Sequence, residues 1–170
     1  QICTQVRDFL LQDKVNNALN IPFADYGKLK TLEPYLDLGS RMGLLEMALT
    51  EAAIEKVTVK VSGEFEAEMR PLTLAVLKGL LFPIVGEKVN LMNAALLAKQ
   101  RQIKIEEAHG YEDSGYTTLV EVTVESEKGD TRTVAGSLFG KDDPRIVRID
   151  DFHMDARPVG SVLMIRNNDV

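Results

Sequence analysis

Valine recurs at every second position twice in this chain, at Val57, Val59 and Val61 and again at Val120, Val122 and Val124. Lys56, Thr58 and Lys60 flank the first set, and Glu121, Thr123 and Glu125 the second. Strand side chains alternate between two faces, so each run predicts a strand with one buried and one wet face. "EKGD" follows the second run, and its Gly129 predicts a hairpin turn into the returning strand "TRTVAGSLFG". Gly136 inside that strand predicts a bulge or a close backbone approach. "RIVRI" after Pro144 predicts a further strand, which "DFHMD" continues after a turn, and "IKIEE" a short one. "AHGYEDSGY", residues 108–116, is polar and Gly-containing and predicts a loop.

Helical periods fill the rest. Leu38, Met42, Leu45 and Leu49 make one apolar face of a helix over about residues 31–50, with Pro34 expected in its first turn. Gly39 and Gly43, four apart, predict a close neighbour there. A second helix is predicted from about Pro71, with Leu74, Leu77 and Leu81 inward and Pro83 as its stop. Asn90 suits the cap of a third, "LMNAALLAKQR". Near the start, Val6, Phe9, Leu10 and Asp13 set a helical period that Asn20 and Pro22 break, and "ADYGK" reads as a linker flexible at Gly27. Helices mixed with late hairpins predict an α+β fold, a mainly antiparallel sheet covered by helices.

The 170 residues suit one domain, or one with pieces of its neighbours. A net charge of −6 argues against nucleic acid or an anionic membrane as main partner, so an anion site must come from a local basic cluster. No uninterrupted apolar run reaches the roughly 18 residues of a membrane span. The single cysteine, Cys3, allows no internal disulfide and fits a reducing, cytoplasmic setting. The opening "QICTQVRDFLLQDK" lacks both an initiator Met and a signal-peptide pattern, and both ends are expected to be cut from a longer chain.

Motifs for chemistry are scarce. There is no G-x-G-x-x-G, no P-loop, no C-x-x-C, no H-E-x-x-H and no G-x-S-x-G. No catalytic residue and no metal site is expected. His109 reads as a solvated loop histidine. Extended backbone at "DDFHMD" would set His153 between Asp151 and Asp155 on one face, where a polar strand face is the plainer reading than a metal site. Cys3 has no His near it in sequence to activate a thiol.

The densest basic stretch holds Arg132, Lys141, Arg145, Arg148 and Arg157. Guanidinium forks suit phosphate and carboxylate. Arg145 precedes one strand and Arg157 follows the next, so an antiparallel return can bring them together. The competing reading is ordinary surface charge paired with Asp142, Asp143, Asp150 and Asp155.

"PYLDLGSRMG", "RPLTLAVLKGLL", "EKVNLMNAALLAKQRQIKIEE", "AGSLFGKDDPRIVRIDDFHMDARPVG" and "VLMIRNNDV" occur in this order. Together they resemble the long-form D-3-phosphoglycerate dehydrogenases, NAD-dependent oxidoreductases that open the phosphorylated route to serine. The resemblance implies three parts. Residues 1–22 would be the last helix and exit segment of the catalytic part, and 24–157 the intervening, allosteric substrate-binding domain. Residues 160–170 would be the first strand of a truncated ACT domain, with Asn167 and Asp169 facing a serine effector whose site is otherwise missing. It further implies that the NAD-binding and catalytic residues lie upstream of Gln1, so that the fragment holds no cofactor. Arg145 and Arg157 would stand at basic positions of an anion or phosphorylated-substrate site, with Phe152 where a further basic residue can occur. Lys141 and Arg132 join that site on charge alone. The expected partners are a phosphorylated small molecule or phosphate and the other domains and subunits of the same enzyme, as a homo-oligomer. The alternatives are a structural spacer using the Gly39/Gly43 face and the sheet edges, or the related regulatory domain of iron–sulfur L-serine dehydratase.

Overall fold

The computed structural model describes residues 29–65, 68–110 and 115–165. The predicted first helix with Cys3, the "ADYGK" linker, Asn167 and Asp169 lie outside them, as do residues 111–114 of the predicted loop.

The order along the chain is α1 (Leu29–Leu49), β1 (Ile54–Gly63), α2 (Met69–Val85), α3 (Ala94–Gln100), β2 (Lys104–Gly110), β3 (Thr118–Ser126), β4 (Thr131–Phe139), β5 (Asp143–Ile149) and β6 (Phe152–Ala156). The six strands form one sheet in the order β2-β1-β3-β4-β5-β6. Every neighbouring pair is antiparallel except β1 and β2, which run parallel. A parallel return needs a crossover, and α2 and α3 supply it. The fold is α+β, mainly antiparallel, as the patterning predicts.

The two valine runs lie side by side, with Val57 opposite Val124, Val59 opposite Val122 and Val61 opposite Val120. All six are buried in one core with Leu38 and Met42 of α1 and Leu72, Val76, Leu77 and Leu80 of α2. This defines the inner, helix-covered face of the sheet. Helix α2 is buried almost all round as far as Leu81, with Phe82, Pro83 and Ile84 of its last turn exposed. Met69–Lys88 is long and apolar enough to cross a membrane by length and composition alone, but most of it is packed inside the fold, as a core helix is.

The glycines set how close the layers come. A Cβ on Gly43 would lie 2.0 Å from the Val76 carbonyl oxygen, and one on Gly79 1.8 Å from that of Ser40. The Gly39/Gly43 face is therefore spent on the α1–α2 crossing within this chain and is not open to a second subunit. Gly136 is a close approach as predicted: a Cβ there would meet Leu38 Cδ1 at 2.8 Å and Met42 Sδ at 3.0 Å. The β4–β5 register shifts beside it, between Ala135 and Gly136.

Three local readings are corrected. Pro34 and Pro83 both lie inside their helices. Pro83 sits in the last turn of α2, where its missing N–H costs only one bond. The stop is Gly86, at φ 66°, whose N–H reaches the Phe82 carbonyl. Helix α3 begins at Ala94, later than expected, because Asn90 caps the turn before it; its Oδ1 accepts from the Met92 and Asn93 N–H groups at 2.9 and 3.1 Å. His109 is not in a loop: β2 continues to Gly110 because β1 offers its edge, pairing Val61 with His109 and Ser62 with Gly110.

Candidate anion site

Strands β4, β5 and β6 build the site on the outer face. The β4–β5 connection is a short turn through Gly140 (φ 69°), Lys141 and Asp142, which sets Phe139 opposite Asp143. Arg145 lies two residues after Asp143 and therefore on the same face. The β5–β6 connection is tighter still, with Ile149 opposite Phe152 and Asp150 at φ 50°. Asp tolerates this left-handed conformation better than most residues. The Asp150 carboxylate pins the turn, accepting from the Thr133 N–H at 3.0 Å and from Arg132 Nη1 at 2.6 Å.

That hairpin sets Ile146 opposite Ala156. The next pair outward brings Arg145 to Arg157, so the antiparallel return does bring the two together. Both guanidiniums meet on one atom, Asp143 Oδ2. Arg145 Nη2 and Nε donate to it at 2.9 and 3.1 Å, and Arg157 Nη2 at 3.0 Å. Arg145 Nη1 donates to Asp155 Oδ1 at 2.5 Å. The Arg145 guanidinium carbon lies 5.4 Å from the centre of the Phe139 ring, within cation–π range. Phe139 in turn leans on Tyr116, at 6.4 Å between ring centres. Beneath them Leu119, Ala135 and Val147 form a second small apolar cluster with Tyr116.

The electrostatics follow the geometry. The hydrogen bond from Arg145, with lesser help from Arg157, holds the Asp143 carboxyl below the usual carboxylate range. Asp143, helped by Asp155, likewise raises Arg145. Arg145 is the better sheltered partner, its side chain 18 % exposed against 61 % for Arg157.

The other predicted residues lie apart. Lys141 is exposed at the tip of the β4–β5 turn. Arg132 pairs with Asp150 and stands opposite Val124, on the helix-covered face and toward the other end of β4. It is not brought to the Arg145–Arg157 pair. Phe152 begins β6, five residues before Arg157, so roughly 16 Å of strand separates the two. Arg148 donates to Glu121 Oε1 at 2.5 Å, and Lys60 pairs with Glu121 at 3.2 Å. His153, opposite Arg148, is exposed, and Asp151 lies in the turn before β6, so strand geometry does not set His153 between two carboxylates.

Two features carry no clear signal in the sequence. Phe139 lies under Arg145 only because of the hairpin register. Glu46, one turn after Met42, is fully buried, and no side chain donates a hydrogen bond to either of its carboxylate oxygens; the Val134 backbone N–H approaches them, short of good hydrogen-bond geometry. Burial pushes its carboxyl up to about 8; the Val134 backbone N–H and Arg132 oppose the shift and Asp150 adds to it.

Residues 31–150 match the family model of the D-3-phosphoglycerate dehydrogenase intervening domain. The chain belongs to that family. It is similar to proteins named D-3-phosphoglycerate dehydrogenase from several organisms. The Methanocaldococcus jannaschii protein is 30 % identical over 169 residues, 99 % of this chain and 32 % of the relative. The Archaeoglobus fulgidus protein is 34 % identical over 156 residues, 91 % and 29 % respectively. The Synechocystis protein is 29 % identical over 171 residues, 99 % and 31 %. The chain thus spans about a third of the length of the curated relatives it matches. Its sequence holds no G-x-G-x-x-G turn of the dinucleotide-binding kind.

Proposed function

We propose that this chain is a regulatory part of an NAD-dependent D-3-phosphoglycerate dehydrogenase, acting in serine synthesis in the cytoplasm. Residues 24–157 act as the allosteric substrate-binding domain, taking phosphate or a phosphorylated metabolite between Arg145 and Arg157, with Lys141 a further basic side chain exposed on the β4–β5 turn. Residues 1–22 complete the catalytic part, and residues 160–170 begin an ACT domain to which Asn167 and Asp169 belong. NAD and the hydride chemistry belong to the rest of the enzyme. Occupancy of the anion site biases domain and subunit contacts in the assembled homo-oligomer, a coupling of about 1–3 kcal/mol that is reciprocal between sites.

The observation that carries this reading is the β5–β6 register, which directs two guanidiniums at one oxygen position. Calorimetric titration of 3-phosphohydroxypyruvate, with inorganic phosphate as control, tests it. Saturable binding that the Arg145→Ala/Arg157→Ala double variant loses is the expected result. Binding that survives both substitutions counts against it.

One observation favours a second reading, a structural spacer without ligand. Arg145, Arg148 and Arg157 are each already paired with a carboxylate of the same chain. A folded chain that takes up neither phosphate nor 3-phosphohydroxypyruvate is what that reading expects.

A further inference from the structure

Asp143 Oδ2 receives three N–H groups from two arginines, all between 2.9 and 3.1 Å. A bound phosphate or carboxylate oxygen would ask for the same set. Among the described residues the Asp143 side chain bonds nothing but these two arginines, so it caps no strand and pins no turn. It is also 30 % exposed and stands at the end of a short turn, so that a carboxylate displaced from the arginines has water beside it. Arg145 would keep its place without it, since Phe139 lies under its guanidinium and Asp155 holds Nη1.

We infer that Asp143 is an internal stand-in for the ligand, and that the site takes a phosphate dianion by exchange while refusing monocarboxylates. The inference rests on the anion-site reading above and adds what regulates that site. A tethered group competes at an effective concentration that reaches millimolar for a short flexible tether. A free monocarboxylate brings the same single charge and the same two oxygens as Asp143, without the tether, and so loses. A phosphate or phosphate monoester brings close to two charges and an additional acceptor oxygen. It can satisfy both guanidinium forks at once. The site is therefore closed to monocarboxylates and opens to phosphorylated metabolites.

Titration of inorganic phosphate and of acetate, at pH 7.5 and low salt, into the wild-type chain, Asp143→Asn and Asp142→Asn tests this. Asparagine keeps the shape of the side chain at 143, and near-UV circular dichroism checks the fold. Asp142 is exposed, lies one residue away and pairs with neither arginine, so its variant reports the loss of one charge alone. The expected result is phosphate affinity about 10-fold higher in Asp143→Asn, acetate binding that appears only in that variant, and a change below about 2-fold in Asp142→Asn. Equal gains in the two variants, or no gain in Asp143→Asn, overturn the inference; if Arg145→Ala/Arg157→Ala still abolishes wild-type binding, the anion site itself stands. No phosphate binding by folded wild type or Asp143→Asn overturns the inference and the anion site together.

Discussion

Glu46 shares the buried face of α1 with Leu38 and Met42, without a well-formed hydrogen bond to either oxygen. An ionised carboxylate there has lost its water, and the Val134 N–H and Arg132 offset only part of that loss, so the protonated form is the one the fold favours. Its folded value of about 8 lies above the ordinary 4.5. A group with this shift favours folding most below its unfolded pKa and loses that advantage as pH rises through the folded value. Stability is therefore expected to fall between about pH 4.5 and pH 8 on this account, by roughly 3 to 5 kcal/mol in all. Glu46→Gln should flatten that slope and leave the variant more stable at pH 8 by about 3 kcal/mol in denaturant melts. An unchanged slope would mean that Glu46 reaches water. Asp143 has the opposite sign: its carboxyl is held low by Arg145 and Arg157. Its contribution is present above the unfolded carboxylate range and fades as pH drops through the folded value. Because the Asp143 site is partly exposed, its effect should shrink in high salt while that of Glu46 persists.

At the scale of elements, the α1–α2 crossing is the most tightly specified contact. A Cβ on Gly43 meets backbone of α2, which moves only with the whole helix. A Cβ on Gly136 meets the tips of Leu38 and Met42 at 2.8 and 3.0 Å and the Arg145 carbonyl oxygen at 3.0 Å, a far milder backbone approach than the 2.0 Å at Gly43. Gly43→Ala should accordingly destabilise by about 3 kcal/mol or more, and Gly136→Ala by about 1 kcal/mol, read from the shift in urea midpoint. Equal losses would mean that the helices slide apart easily. The hairpin elements were plain in the sequence because turn chemistry is local. Gly129, at φ 84°, closes β3 onto β4 where "EKGD" predicts it. The parallel β1–β2 pair was not, because nothing in "IKIEE" says which edge it will join, and α2 and α3 intervene. The same edge explains why His109 is strand rather than loop.

At the scale of the molecule, alternation and helical spacing were enough to give the two layers and the inner face. They were silent on Glu46, since a charged residue in a helix pattern reads as solvated and only the packing of β4 against α1 buries it. The meeting of Arg145 and Arg157 was legible as a consequence of an antiparallel return. Its closure by Asp143 was legible only as generic pairing of surface charge, and Phe139 beneath it not at all. The outer face as a whole is lined with ion pairs: Lys56 with Glu106 and Glu125, Lys60 and Arg148 with Glu121, Arg145 with Asp143 and Asp155. Any anion that binds on this face must therefore do so by exchange within a charge network.

The most direct test of that claim is to follow the arginine side-chain Nε–H signals by NMR while inorganic phosphate is added to the wild-type chain. The account predicts saturable shifts at Arg145 and Arg157, with Arg132 and Arg148 unmoved. Phosphate that shifts Arg132 or Arg148 instead, or that leaves all four signals in place, would contradict it.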